Sequence, residues 1–333
     1  MATRMNAAAS ASIVLMTFFI IGAGSSHAQV VPGTGTLLNM DDFEDSSWDF
    51  TFNFPKSSKE EDEQIRFPLG RSSNGRWFES PKRGTPDVVK RVETPIGGLE
   101  GSTGSLYIRS RDTGIPGRPS YSQKQDDFIL KASPLSISQS PNFVVRVYLP
   151  PWEEWEQRTG VSFGIRAGVQ GPQTTTKQVG FGKWLFKGTR TETVTEMEPV
   201  YPGFFIQFNC TKDKNFKEDH AVLIIRSGND GQDIVGPRIH QTGWWTFGQS
   251  HTPDSRVHYY AHPGVADLTA DDLIISTMPH SRQITYFNTI FFNVCSIDNG
   301  STWSTPWIID DPKVYYLGGG NRSMAGGRQQ MQR

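Results

Sequence analysis

From residue 286 to residue 316 the chain reads YFNTIFFNVCSIDNGSTWSTPWIIDDPKVYY. Its two apolar runs, 286–294 and 307–316, are rich in aromatic and β-branched residues. Such side chains suit a pleated, half-buried surface. Between the runs stand Ser, Asp, Asn and Gly, the residues of tight turns. The stretch reads as strand, turn, strand, and a chain that closes this way needs further strands to cover both runs. The same punctuation recurs upstream. Short runs at 48–54, 87–94, 105–110, 125–130, 141–150, 161–169, 203–208, 220–226, 239–247 and 256–262 are separated by Gly, Pro, Asn and Asp. No segment sustains a helical period. About ten to fourteen short strands between turn signals predict an all-β, antiparallel β-sandwich with long loops.

The octet at 296–303, SIDNGSTW, matches the Asp-box pattern S-x-D-x-G-x-T-W at every fixed position. In that pattern Asp298 is expected to accept N–H groups of its own turn. Gly300 supplies a positive φ, and Trp303 folds back as an apolar plug. Sialidase-like propellers carry this motif once per blade, and blades recur about every 40–50 residues. Here one complete copy stands alone, with incomplete echoes at 72–77 and 227–231. The octet therefore reads as a stabilised hairpin turn.

Charge is balanced, with 33 basic and 34 acidic residues and a net of −1. No global field favours nucleic acid or an anionic membrane. Residues 1–28 read as a secretory signal: Arg4, an apolar stretch at 7–21, then small residues Ser26 and Ala28 before a cleavage point at Gln29. No later run approaches the roughly 18 apolar residues of a spanning helix. The expectation is a secreted, periplasmic or cell-envelope protein with no membrane span after cleavage. Residues 29–40 read as a flexible leader and 41–317 as one domain. A polar loop insertion at 170–200 interrupts that domain, and 318–333 read as a disordered tail. Cys210 and Cys295 each end a predicted strand; in an oxidising compartment they form one disulfide or remain two buried thiols.

Phe43-Glu44 followed by Trp48, and Ile309-Asp310-Asp311 in the final strand region, resemble the ends of carbohydrate-binding jelly rolls. The wider concanavalin A-like sandwiches, some of them polysaccharide lyases, are similar in outline. So is a group of secreted bacterial proteins of unassigned activity. The resemblance covers residues 40–317 as a pattern of strands and implies a jelly-roll fold that presents a concave sheet to a glycan. It also implies a structural Ca²⁺ where the first and last strands meet. Glu44 and Asp311 would carry it, with Asp42 and Asp310 as neighbours. Roughly 6–8 oxygen ligands suit that ion.

On such a sheet aromatic rings stack on sugar faces, while Arg, Gln, Asn and His meet hydroxyls or carboxylates. Arg146 and Tyr148 share one face of FVVRVYLP; Arg166 sits in VSFGIRAGV and Gln207 in FFIQFNC. An Arg inside an apolar strand must face water, a carboxylate or a ligand. His240, Trp245, His258, Tyr260 and His262 fall in the stretch 238–262, the densest in usable groups. Arg146, Tyr148, Arg166, Gln207, His240, Trp245 and His262 form the candidate ligand-binding set, and Arg146, His258 and Tyr260 are the candidate catalytic residues. A uronate lyase needs a carboxylate neutraliser, a base and an acid, roles open to Arg, His and Tyr. Arg238-Ile239-His240 and residues 259–264, YYAHPG, are similar to the Q-I-H and Y-x-K-A-G motifs of alginate-lyase sandwiches. They depart in having Arg for Gln and no Lys. A glycoside hydrolase needs paired carboxylates, and no E-x-D-x-x-E run occurs. Three readings stand: a module that binds a polysaccharide, a polysaccharide lyase or glycoside hydrolase of the same fold, or a non-catalytic cell-envelope structural or interaction protein.

Overall fold

The computed structural model describes residues 29–53, 60, 62–64, 67–115, 117–181 and 188–318, with main chain only at 177–181 and 188–190. The expected signal segment and all but the first residue of the expected tail lie outside the described residues. Among the described residues eighteen strands follow in order. The first six are β1 (Thr36–Met40), β2 (Phe50–Thr51), β3 (Arg71–Ser72), β4 (Trp77–Glu79), β5 (Val88–Glu93) and β6 (Gly104–Arg109). Then come β7 (Gln123–Ser136), β8 (Asn142–Leu149), β9 (Gly160–Phe181), β10 (Gly188–Val200), β11 (Gly203–Asn209) and β12 (His220–Arg226). The last are β13 (Ile234–Ile239), β14 (Gly243–His251), β15 (Val257–Pro263), β16 (Leu273–Thr277), β17 (Tyr286–Ile297) and β18 (Trp307–Tyr316). Among the described residues no helix is long and apolar enough to cross a membrane.

The strands form two antiparallel sheets packed as a sandwich. The eight-stranded sheet runs β16-β15-β14-β8-β18-β6-β5, with β1 also on β18. The ten-stranded sheet runs β13-β12-β11-β9-β17-β7-β4-β3-β2, with β10 on β9. Period-two alternation sorts the side chains. Phe143, Val145, Val147 and Leu149 of β8 enter the interlayer, as do Phe163, Ile165 and Ala167 of β9 and Phe204, Ile206 and Phe208 of β11. Rings then link the two layers. Trp77 stacks on Phe128 at 4.9 Å, and Phe163 lies 5.9 Å from Phe292. Phe163 also stacks on Trp307 of the facing sheet at 4.5 Å. Trp307 meets Trp155 edge-on at 4.9 Å, and Trp155 lies 5.0 Å from Phe208.

Several expectations change in three dimensions. The closing segment is no hairpin: β17 belongs to the ten-stranded sheet and β18 to the eight-stranded one, so residues 298–306 cross the sandwich. In the octet Gly300 has the expected positive φ, 72°. Asp298, however, accepts the N–H of Ser120 from another loop, and Asn299 accepts the N–H groups of Ser301 and Thr302. Trp303 is exposed rather than plugged inward, with Arg109 and Arg111 each 5.4 Å from its ring. Of the segment 170–200, residues 170–181 and 188–200 are paired strand rather than loop. β10 follows β9 in unbroken antiparallel register from Val200 opposite Val169 to Gly188 opposite Phe181. The leader is likewise ordered: β1 pairs with β18, and residues 29–34 cross the outer face of the eight-stranded sheet. No bridge joins the two cysteines. Both thiols are free and buried, Cys210 in the interlayer and Cys295 on the outer face of β17.

Asp41 ties the start of the chain to the core. Its buried carboxylate accepts the indole N–H groups of Trp48 (3.2 Å) and Trp77 (2.7 Å) and the amide of Asn74 (2.8 Å). Arg76 lies 3.5 Å away. Removing one acceptor strands several buried donors at about 1–3 kcal/mol each. Asp41→Ala is expected to lower unfolding free energy by about 3–5 kcal/mol, read as a shifted urea midpoint, with Asp41→Asn losing less.

Candidate functional site

The outer faces of the two sheets differ. On the eight-stranded sheet Arg146, Tyr148, His258, Tyr260 and His262 share the outward face, but they are engaged. Arg146 is buried and donates to Asp267 at 2.6 Å and to the carbonyl of Val265 at 3.4 Å. Tyr148 packs edge-on against Trp244 at 5.5 Å. His258 uses both ring nitrogens, toward Thr252 Oγ1 (2.9 Å) and Ser276 Oγ (2.6 Å), and burial pulls its pKa down. The Tyr260 hydroxyl lies against Gln29 and the carbonyl of Val30, while His262 pairs with Asp272 at 2.8 Å. Pro32 and Leu268 sit over Gly248. The N-terminal segment and the loop 264–272 therefore roof this face. Trp245 stacks on Phe247 at 6.2 Å, against the core, and His240 is exposed in the turn before β14. Only Arg166 and Gln207 of the set lie on the other sheet.

The ten-stranded sheet carries a different group. In β7, Phe128 and Leu130 point inward, so Asp127 and Ile129 point out; in β17, Ile290 and Phe292 point in, so Thr289, Phe291 and Asn293 point out. Register aligns them. Asp127 stands opposite Asn293, Asn293 opposite Gly164, and Gly164 opposite Phe205. In the next row Ile129 stands opposite Phe291, and Phe291 opposite Arg166. Over these rows lies a half-open cavity of about 220 Å³, lined by Glu60, Lys82, Arg83, Asp127, Tyr201, Thr289 and Phe291 among others.

The loop after β4 is fixed in place by local bonds and by ties to β7 and Glu60. Ser80 Oγ accepts the N–H groups of Lys82 and Arg83, both at 3.2 Å, and the carbonyl of Gly84 accepts the N–H of Asp127 at 2.8 Å. Arg83 pairs with Glu60 at 2.6 Å. Lys82 Nζ lies 4.8 Å from the Tyr201 ring centroid and donates to its hydroxyl. Tyr201 meets Phe291 edge-on at 5.7 Å. Beneath them the buried Arg166 guanidinium lies 5.5, 5.4 and 5.2 Å from the rings of Tyr201, Phe205 and Phe291. Two of its N–H groups reach the Tyr201 carbonyl, at 3.0 and 2.9 Å. Burial lowers its pKa to about 10, against the opposing pull of Asp127. Burial raises the Asp127 pKa, opposed by the charges of Arg83 and Arg166. Asp127 accepts from Gln125 (2.9 Å) and Asn293 (2.6 Å), and the other amide atom of Asn293, Oδ1, is buried without a partner.

The sequence reading missed Lys82, Asp127, Tyr201 and Phe291. Alternation in QDDFIL and in TIFFN was the signal that marks Asp127 and Phe291 as outward. Gly164 shows how tightly this face is built: a Cβ there would lie 2.4 Å from Asn293 Oδ1 and 2.7 Å from the Phe205 ring. Gly164→Ala is expected to cost about 1–3 kcal/mol, measured by chemical denaturation, and to disturb ligand binding through Asn293 and Phe205.

The acids expected to hold Ca²⁺ are in other use. Glu44 accepts the N–H groups of Thr103 (2.9 Å) and Gly104 (3.2 Å). Asp311 pairs with Lys313 at 3.0 Å, and Asp42 accepts the N–H of Glu44 at 3.3 Å. Asp310 accepts from Ser102 at 2.9 Å, while its Oδ1 is buried without a partner. Among the described residues no group of three acids, histidines or cysteines could hold a metal ion. The set does not fit the ion. Burial instead pushes the Asp310 pKa up to about 7, with Ser102 opposing and Asp311 and Glu44 adding to the rise. The folded state then binds the extra proton, so stability falls as pH rises from the ordinary carboxylate range through about 7. Asp310→Asn is expected to raise the melting temperature at pH 8 by roughly 2–4 °C. The gain should close toward pH 4, and calcium should leave both proteins unchanged.

No family model matches the chain, and no curated protein matches it. Solved structures do. The CBM2 module of the evolved Dit of Lactobacillus casei BL23 phage J-1 is similar at 11% identity and a TM-score of 0.36, over 86% of this chain and 97% of that one. The Emp47p carbohydrate recognition domain is similar at 11% identity and a TM-score of 0.32, over 70% of this chain and 90% of that one. The VIP36 exoplasmic/lumenal domain, in its Ca²⁺/Man₃GlcNAc-bound form, is similar at 11% identity and a TM-score of 0.32, over 71% and 93%.

Proposed function

We propose that this is a secreted glycan-binding protein that holds a sugar of a polysaccharide on the outer face of the ten-stranded sheet. The observation that carries the reading is the cavity beside Tyr201 and Phe291, which sets two aromatic rings among hydroxyl, carboxyl and cationic groups. A pyranose presents the same mixture, an apolar C–H face and a rim of hydroxyls. The volume of about 220 Å³ is below the roughly 300–1,000 Å³ of clefts that engulf drug-sized ligands. That favours one ring seated in the cavity, with the rest of the polymer outside.

Binding is favoured over catalysis because the residues suited to lyase chemistry are elsewhere and occupied. His258 and Tyr260 are both on the opposite sheet with their polar atoms bonded, Tyr260 under the N-terminal segment and His258 between Thr252 and Ser276. Retention on immobilised polysaccharides tests the reading. Tyr201→Ala keeps the carbonyl that holds Arg166 but removes the ring. It is expected to weaken retention at least tenfold, about 1.4 kcal/mol, with an unchanged melting temperature. Retention that survives the substitution would sink the proposed site, and release of shortened chains from the polymer would replace binding with catalysis.

A further inference from the structure

Deepening the glycan reading, on which it rests, we infer that the sugar held in this cavity is acidic, a pyranose carrying a carboxylate or sulfate that Lys82 meets at the cavity wall. Charge counting gives the first reason. The cations on or under the cavity are Lys82, Arg83 and Arg166, and the acids are Glu60 and Asp127. Arg83 is paired with Glu60. Among the described residues no carboxylate pairs with Lys82 or with Arg166.

The second reason is the setting of those two cations. Arg166 is buried, and rings surround its guanidinium while its hydrogen bonds go to one backbone carbonyl. A buried charge is ordinarily paired; Asp127 acts on this one through space without a hydrogen bond to it, so a cation stays under the Tyr201 ring. Lys82 is exposed, and its ammonium has three donors. One is directed at the Tyr201 hydroxyl, on the same ring assigned to the sugar. An anionic substituent on a ring stacked at Tyr201 would come within reach of the others. Such charge-assisted bonds are about twice as strong as neutral ones.

Polygalacturonate and chondroitin sulfate serve as carboxylate and sulfate probes, amylose and mannan as neutral ones, and poly-glutamate as an anion without sugar. Binding of the purified protein is read by titration calorimetry at low and at high salt. The expected result is at least tenfold tighter binding of one or both acidic glycans than of amylose, mannan or poly-glutamate. Lys82→Gln should remove most of that preference without moving the melting temperature; which acidic probe prevails assigns the anion. Equal binding of neutral and acidic glycans, or an acidic preference untouched by Lys82→Gln, overturns the inference and leaves the glycan site standing. Poly-glutamate binding as tightly as the acidic glycans also overturns it. Binding of none of the glycans, with folded protein, removes the glycan reading itself.

Discussion

The structure depends on one layer of rings. Phe128, Trp77, Phe292, Phe163, Trp307, Trp155 and Phe208 follow one another between the sheets at centroid separations from 4.5 to 5.9 Å. They come from segments far apart in sequence, six of them from strands of the two sheets and Trp155 from the connection between β8 and β9. Their burial is what allows the crossing from β17 to β18: Trp307 leaves one sheet's strand order and lands against Phe163 of the other. Aromatic pairs add roughly 0.5–1.5 kcal/mol beyond their area burial. Their flat shapes also fix how the layers sit, so the outward residues inherit a defined register.

That register produces two unlike surfaces. The residue opposite each core position must point out, and on β8, β14 and β15 those outward residues meet the N-terminal segment and the loop 264–272. Val144, Tyr260 and Leu268 form a small second core there. Arginine and histidine on that face are consequently held by Asp267, Thr252, Ser276 and Asp272. On β7, β17 and β9 the outward residues meet the loop after β4 and Tyr201, which leave a cavity rather than a seal. The same alternation that builds the core thus sets where a ligand has room.

Much of the fold was legible. Strand character at FVVRVYLP, VSFGIRAGV and FFIQFNC follows from β-branched and aromatic residues between turn formers, and each became a strand. The even spacing of His258, Tyr260 and His262 did place them on one outward face. What alternation cannot carry is what lies across from that face. Nothing in YYAHPG says that Pro32 and Leu268 will cover its neighbours, because those contacts join residues more than two hundred positions apart or separated by a loop. The candidate site was less legible for the same reason. Lys82, Asp127, Tyr201 and Phe291 come from four separate segments, and none has a local motif.

The short strands, their alternating faces, the turn at Gly300 and the balanced charge are properties of neighbouring residues, so the sequence by itself determined them. Tertiary structure decided the rest: that β17 and β18 part into different sheets, that Cys210 and Cys295 lie on opposite faces, that Glu44 and Asp311 serve Thr103 and Lys313, and that Tyr201 closes over Arg166. The physical reason is range. Alternation and turn preference act over two to four residues, whereas which face is roofed, which acid is neutralised and which ring meets which cation are settled only when the interlayer packs.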